Sequence, residues 1–241
     1  MIVVINNSGV YKMGIIEQYI EYERLYAING YYGNKINNRT YKIERGSVPI
    51  LLSAPHSVRQ VRNKIIKAQD MYTGAIVDCI QYKTNCYSIT NICTDNNDPN
   101  YDNINVCKYK QQICKLIEQH GIKLILDIHG LGVDKKSSID ICTNNGKTLN
   151  NRDDILEYII KHLSKRLEID DKTISLNKYY KADLEFCIAN SISKLYGIPI
   201  IELEINKILR DPYNYSDNVV ELLSMLEYII RNIKYSKEDK L

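Results

Sequence analysis

The chain has 241 residues, 44% hydrophobic and 25% charged, enough for one globular domain with a sizeable core and too apolar for a disordered chain. A net charge of +3 with no RNA- or DNA-binding signature argues against a nucleic-acid partner, and no apolar stretch reaches the length of a membrane span. The N-terminal MIVVINNSGVYKMG lacks a basic region before a long apolar run, and the seven cysteines form no CxxC pair; both features suit a cytoplasmic protein with reduced, mostly buried thiols.

In chain order, IVVIN (2–6) reads as a short strand, and 13–27 as a helix with Ile15, Ile16, Tyr19, Ile20 and Tyr26 near one face. Segments 41–45 and 49–54 read as strands around a turn at Gly46. PILLSAPHS is too short for a helix and runs into a polar, basic loop, as a buried strand does when it delivers its C-terminal end to a site. A helix is expected over 70–83, a buried strand over 88–94, and after the polar loop DNNDPNYDN a helix at 104–119. That helix has Val106, Tyr109, Ile113, Leu116 and Ile117 inward and ends at Gly121. KLILDIHG and SIDICT are further strands, 152–167 a helix, TISLN a strand, 182–196 a helix closed by Gly197, IPIIELEIN a long strand and 216–234 a terminal helix before a charged tail. The alternation makes the class α/β, with a mixed, mostly parallel sheet in a single domain over 1–241.

Of four histidines, His120 stands at a helix C-terminus, where a cation suits the macrodipole, and His162 lies mid-helix on the expected solvated side. His56 and His129 differ: each sits where a buried strand gives way to a loop, and two strand ends of one parallel sheet can meet. Converging neutral imidazoles suit a divalent metal, zinc above all; the other reading is two unrelated hydrogen-bonded histidines. For a third ligand the candidates are Asp70, at the start of the 70–83 helix, and Asp127, two residues before His129 on the same strand face, which could instead orient His129. Glu202 and Glu204 share one face of a late strand. Buried carboxylates need a metal, a cation or solvent, and Glu204, nearer the C-terminal rim, suits a general base. Arg59 and Arg62 in SVRQVRNKIIK, and Arg210 in KILRDP, could fork onto a substrate carboxylate or polarise a carbonyl.

Taken together, these segments resemble the N-formylglutamate amidohydrolase family of zinc carboxypeptidase-like hydrolases. The shared order is a strand ending in PHS, D-xx-TGA, an Asp/Asn-rich loop, a strand ending in D-x-HG and a late IExExNxxLR, over about residues 49–211. The resemblance implies a three-layer α/β/α sandwich, zinc held by His56, Asp70 and His129, and Glu204 as general base; in the mechanism expected, Arg62 or Arg59 would stabilise the developing oxyanion or grip a substrate carboxylate. Arg59, Asn100 and Arg210 would contact a small-molecule substrate, an N-acyl amino acid or short peptide cut at an amide bond. Two departures stand out. Arg59 occupies the place, three residues after the first histidine, where carboxypeptidase-like enzymes commonly have a ligand Glu. Tyr101 follows Asn100 where related families tend to have Arg. Two rival functions are a γ-glutamyl or cell-wall peptidase of the same superfamily and a non-catalytic zinc- or ligand-binding module.

Overall fold

The computed structural model describes residues 3–6, 9–166 and 173–234; Ile2, the last residue of the 152–167 helix and the charged tail beyond 234 lie outside them. Its first elements are β1 (Val3–Asn6) and β2 (Gly9–Lys12), an antiparallel hairpin, and α1 (Ile15–Tyr31), which leaves helical geometry at Ile28. There follow β3 (Tyr41–Glu44), β4 (Val48–Ala54), β5 (Gln60–Arg62), β6 (Ile65–Lys67), α2 (Thr73–Thr84), β7 (Cys86–Asn91), α3 (Lys108–His120), β8 (Leu124–Leu131) and β9 (Ser137–Cys142). The chain continues through α4 (Asp153–Arg166), β10 (Thr173–Leu176), α5 (Ile188–Tyr196), β11 (Ile200–Asn206) and α6 (Ser216–Asn232).

Seven strands make one sheet in the order β10-β9-β11-β8-β4-β7-β3. The four central strands β11, β8, β4 and β7 run parallel; β9 opposes β11 and β3 opposes β7. The C-terminal ends of β4, β8 and β11 therefore lie side by side on one rim, where open parallel sheets bind ligands. Strand alternation sorts the residues. Ile50, Leu52 and Ala54 of β4, Leu124, Leu126 and Ile128 of β8, and Ile201, Leu203 and Ile205 of β11 pack under α2, α4 and α6. Leu51, Ile125 and Ile200 face α3 and α5. On that second face the alternate positions turn polar toward the rim, through Ser53, Asp127, His129, Glu202 and Glu204, all buried. The result is a three-layer α/β/α sandwich around a mixed, mostly parallel sheet.

Several boundaries differ from the sequence expectation. β3 and β4 flank β7 and do not pair with each other, because the crossover through α2 returns the chain between them as β7. The basic loop after His56 is the β5–β6 hairpin, turned by Asn63 and Lys64, both at positive φ as a two-residue primed turn requires. α2 begins at Thr73, so Asp70 precedes the helix; α3 begins at Lys108, which leaves Val106 outside it and exposed. α5 begins only at Ile188, and residues 178–187 form a loop. Gly121 and Gly197 do end α3 and α5, in the left-handed conformation that glycine adopts without penalty. His162 is not on a solvated side: its ring packs against Tyr158 and Tyr228, 4.1 and 5.4 Å away, and Nδ1 approaches the Tyr158 carbonyl. All seven cysteines are free thiols, and six are buried.

One buried group gives a pH-dependent stability. Glu23 of α1 accepts hydrogen bonds from Tyr72 N at 2.8 Å and Tyr31 Oη at 2.9 Å, while its Oε2 has no partner. Burial pushes its carboxyl up to about 7. The folded chain thus holds this proton more tightly than the unfolded chain, so stability is lost as pH rises from the ordinary glutamate range through about 7. Glu23→Gln should be more stable than the parent by about 2–3 kcal/mol at pH 8.5 and equal to it near pH 4, as read by urea denaturation at the two pH values. Equal stability at both would show that Glu23 ionises normally.

Candidate metal centre

The rim residues are placed by backbone that cannot do otherwise. After Ala54, Pro55 has no N–H for the ladder and the chain turns out of the sheet. Ser57 Oγ donates to the carbonyls of Ala54 and Asn91, and Asn91 Nδ2 donates to the Pro55 carbonyl, tying the turn to the end of β7. The His56 carbonyl then accepts from Asp70 N at 2.7 Å, so the two candidate ligands are joined main chain to main chain. Asp70 is held next to α2 by Thr73, whose Oγ1 and N both donate to its carbonyl. Tyr72 between them adopts φ +72, which a bulky side chain rarely does, with its N–H on Glu23 and its ring stacked on Tyr19.

β8 brings His129 opposite Glu204 of β11, and Asp127 opposite Glu202. The imidazoles of His56 and His129 stand edge to face, 4.8 Å between centroids. Their Nδ1 atoms lie 3.6 and 3.3 Å from one oxygen, Asp70 Oδ2. These three groups could share one metal ion; Asp127, His129 and Glu202 form a second, overlapping group of potential donors.

The other ring nitrogen of each imidazole rests on its own buried carboxylate. His56 Nε2 is 3.0 Å from Asp98 Oδ1, and His129 Nε2 is 3.2 Å from Asp127 Oδ2. A carboxylate there fixes the tautomer with the proton on Nε2 and leaves the Nδ1 lone pair free for a cation. Arg62 forks onto Asp98 through Nε at 2.9 Å and Nη2 at 2.8 Å, and its guanidinium lies 3.4 Å above the centre of the Tyr101 ring. Asp98 went unmarked in the sequence because DNNDPNYDN offers Asp95, Asp98 and Asp102 with nothing in its pattern to choose among them. Asp98→Asn should weaken zinc binding about 10–100-fold while preserving a 1:1 site, measured by competition with a chromophoric chelator. Unchanged affinity would mean that His56 needs no orienting partner.

The remaining candidates divide. Asn100 lines the pocket, its Nδ2 3.3 Å from His129 Nε2 and its Oδ1 accepting from Ile188 N. Arg59 leaves the cluster: its Nε donates to the Gly30 carbonyl at 2.9 Å and its guanidinium lies over Tyr32, because the turn after Val58 directs it back toward the end of α1. Arg210 is buried, with Nε, Nη1 and Nη2 on the carbonyls of Ile205, Met71 and Leu131. Its fork is spent on the backbone, where it ties the Asp70 segment to the ends of β8 and β11. Gly130 makes room for this: a Cβ there would stand 2.6 Å from Arg210 Nη2 and 3.0 Å from Asp70 Cβ.

Electrostatics point to a cation. Asp98, Asp127, Glu202 and Glu204 are all buried beside Asp70, and Arg62 on Asp98 is the one side-chain ion pair from Lys or Arg to any of the five among the described residues. Burial opposes the charged form of Asp70, yet without a metal the two imidazoles, when protonated on Nδ1, hold it well below the usual carboxylate range. Asp98 shows the same balance, burial overcome by His56 and Arg62, and falls to about 2. Burial pushes Glu204 well above the ordinary range, the His129 charge opposing and the Glu202 and Asp70 charges reinforcing it. Asp127 Oδ1 is buried with no hydrogen-bond partner. Two imidazole nitrogens and a carboxylate oxygen turned to one point, amid surplus negative charge, form a donor set that fits a divalent ion such as zinc. A cavity of about 530 Å³ opens over it, walled by the β5–β6 hairpin, Asn100 and Tyr101, and the 179–184 loop.

No family model matches the chain, and no curated protein matches it by sequence. Among solved structures, the gene product Atu2144 from Agrobacterium tumefaciens aligns with a TM-score of 0.60 at 9% identity, covering 83% of this chain and 95% of that one. The N-formylglutamate amidohydrolase from Ralstonia eutropha JMP134 aligns with a TM-score of 0.52, also at 9% identity, covering 79% and 97%. The chain shares their fold. The resemblance carried by the motif order is thus met at the level of architecture, over 79–83% of this chain and 95–97% of the two solved proteins.

Proposed function

We propose that this chain is a zinc-dependent hydrolase that cleaves an amide bond in a small carboxylate-bearing substrate, an N-formylglutamate-like acyl amino acid or a short peptide. The observation that carries it is the convergence of His56 Nδ1 and His129 Nδ1 on Asp70 Oδ2, with each Nε2 backed by a separate buried carboxylate. His56, Asp70 and His129 would hold the ion. When bound, zinc supplies Lewis-acid chemistry, polarising a carbonyl oxygen and making water a nucleophile near neutral pH.

The protein's own residues do the rest. Asp98 and Asp127 keep a proton on each Nε2, and Arg62 offsets the charge of Asp98 while leaving Nη1 for a substrate oxygen. Glu204, facing His129 across the β8–β11 ladder, takes a proton from the attacking water and returns it to the departing amine nitrogen. Its raised affinity for protons favours that return; a cation beside it favours the charged form that accepts. No helix among the described residues is long and apolar enough to cross a membrane, and the seven free thiols support a reducing, cytoplasmic setting.

The test is metal analysis of the purified protein, followed by amine release from N-formyl-L-glutamate, other N-acyl amino acids and γ-glutamyl dipeptides. One zinc per chain with turnover of an acyl amino acid is expected. Turnover confined to γ-glutamyl dipeptides would move the substrate class to peptides, zinc without turnover would leave a binding module, and no bound metal would overturn the proposal.

A further inference from the structure

The floor of the cavity is acidic, so a carboxylate-bearing substrate needs positive charge elsewhere on its wall. Three cationic side chains line it: Arg62, Lys67 and Lys181. Arg62 has Nε and Nη2 on Asp98, which offsets its charge and leaves only Nη1 for a substrate oxygen, and Asn100 is followed by Tyr101 rather than by an arginine. Among the described residues, neither Lys67 Nζ nor Lys181 Nζ has an ion pair or hydrogen bond within the protein. Asp183, on the same wall, pairs with neither.

Both lysines sit on backbone that is already fixed. Lys67 closes the β5–β6 hairpin opposite buried Gln60, whose side-chain amide lies 3.1–3.3 Å from the carbonyls of Lys67 and Ala68. The loop that carries Lys181 is pinned from below by buried Asp140, which accepts from Ser175 Oγ and from the N–H groups of Lys178, Tyr179 and Tyr180 at 2.7–3.2 Å. The Lys181 carbonyl accepts from Asn144 N at 2.7 Å, and Ala182 is held at φ +56, an uncommon conformation for a residue with a Cβ. Lys110 Nζ, buried, donates to the carbonyls of Phe186 and Asp102 and so locks this loop to the one bearing Asp98 and Asn100. A loop held at so many points is a wall, so binding an anion there orders the lysine side chain but not the backbone that carries it.

We propose that Lys67 and Lys181 form the subsite that grips the substrate's carboxylate while the scissile amide lies over His56, Asp70 and His129, an assignment that rests on the hydrolase function proposed above. The test is binding rather than turnover, so that it stands apart from catalysis. Calorimetry on the zinc-loaded protein compares glutarate, which has a carboxylate for each end of the site, with butyrate, which has one. Glutarate should bind about 10–100-fold more tightly, the range expected for hydrogen bonds to a charged group. Lys67→Met and Lys181→Met should each reduce that ratio, and the double variant should bring it near one with butyrate affinity and zinc content unchanged. A parent protein that does not prefer glutarate, or a preference that survives in the double variant, overturns the subsite. Failure of the hydrolase proposal would show separately, as absent zinc or as absent amine release from N-formyl-L-glutamate.

Discussion

Replacing His56 or His129 by alanine is expected to abolish stoichiometric zinc binding while the far-UV circular dichroism stays that of the parent. Each contributes one of two nitrogen donors facing Asp70 Oδ2, so its loss leaves one imidazole and one carboxylate for an ion that prefers four ligands. The fold does not depend on either ring. The large apolar cluster under α2, α4 and α6 draws on the opposite faces of β4, β8 and β11 and includes neither histidine. Asp70→Ala should behave as the histidine variants do. Asp127→Ala should cost only about 10–100-fold, because its carboxylate meets the far nitrogen of His129. Stoichiometric, tight zinc in His129→Ala would sink the site, and a larger loss for Asp127 than for Asp70 would transfer the third ligand to Asp127.

Glu204→Gln is expected to keep its zinc and its fold and to lose about 10²–10⁴-fold in turnover, the usual contribution of a general base. Glu202→Gln should lose far less. The two side chains leave the same face of β11, but Glu202 lies opposite Asp127, deeper in the sheet, and Glu204 opposite His129 at the rim, about 6–7 Å further along the strand. Both carboxylates line the cavity, so the choice turns on depth and on distance from the imidazoles. Glutamine preserves shape and leaves no cavity, which separates loss of proton transfer from loss of packing. Full activity in Glu204→Gln would pass the role to Glu202, and full activity in both variants would remove this strand from the chemistry.

The sequence by itself determined the α/β class and the strands that carry the site. Alternation in LILDIHG and IIELEIN places Asp127 with His129, and Glu202 with Glu204, on single strand faces, and the run LLSAPHS marks a buried strand that ends in a turn. Those are local consequences of a period-two backbone, legible without a partner. What only the tertiary structure decided depends on strand order and loop path. The adjacency of β4, β8 and β11 brings His56 to His129, and a main-chain bond from Asp70 N to the His56 carbonyl sets the third donor beside them. Asp98 reaches His56 across 42 residues of chain, from an Asn/Asp-rich loop whose pattern names no residue. Arg59, Arg62 and Arg210 look alike as loop arginines, yet one caps α1, one neutralises Asp98 and one is spent on three backbone carbonyls. Helix and strand periods are written in a dozen neighbouring residues. A side chain's partner is fixed by where distant loops cross, and so each arginine's role waits on the fold.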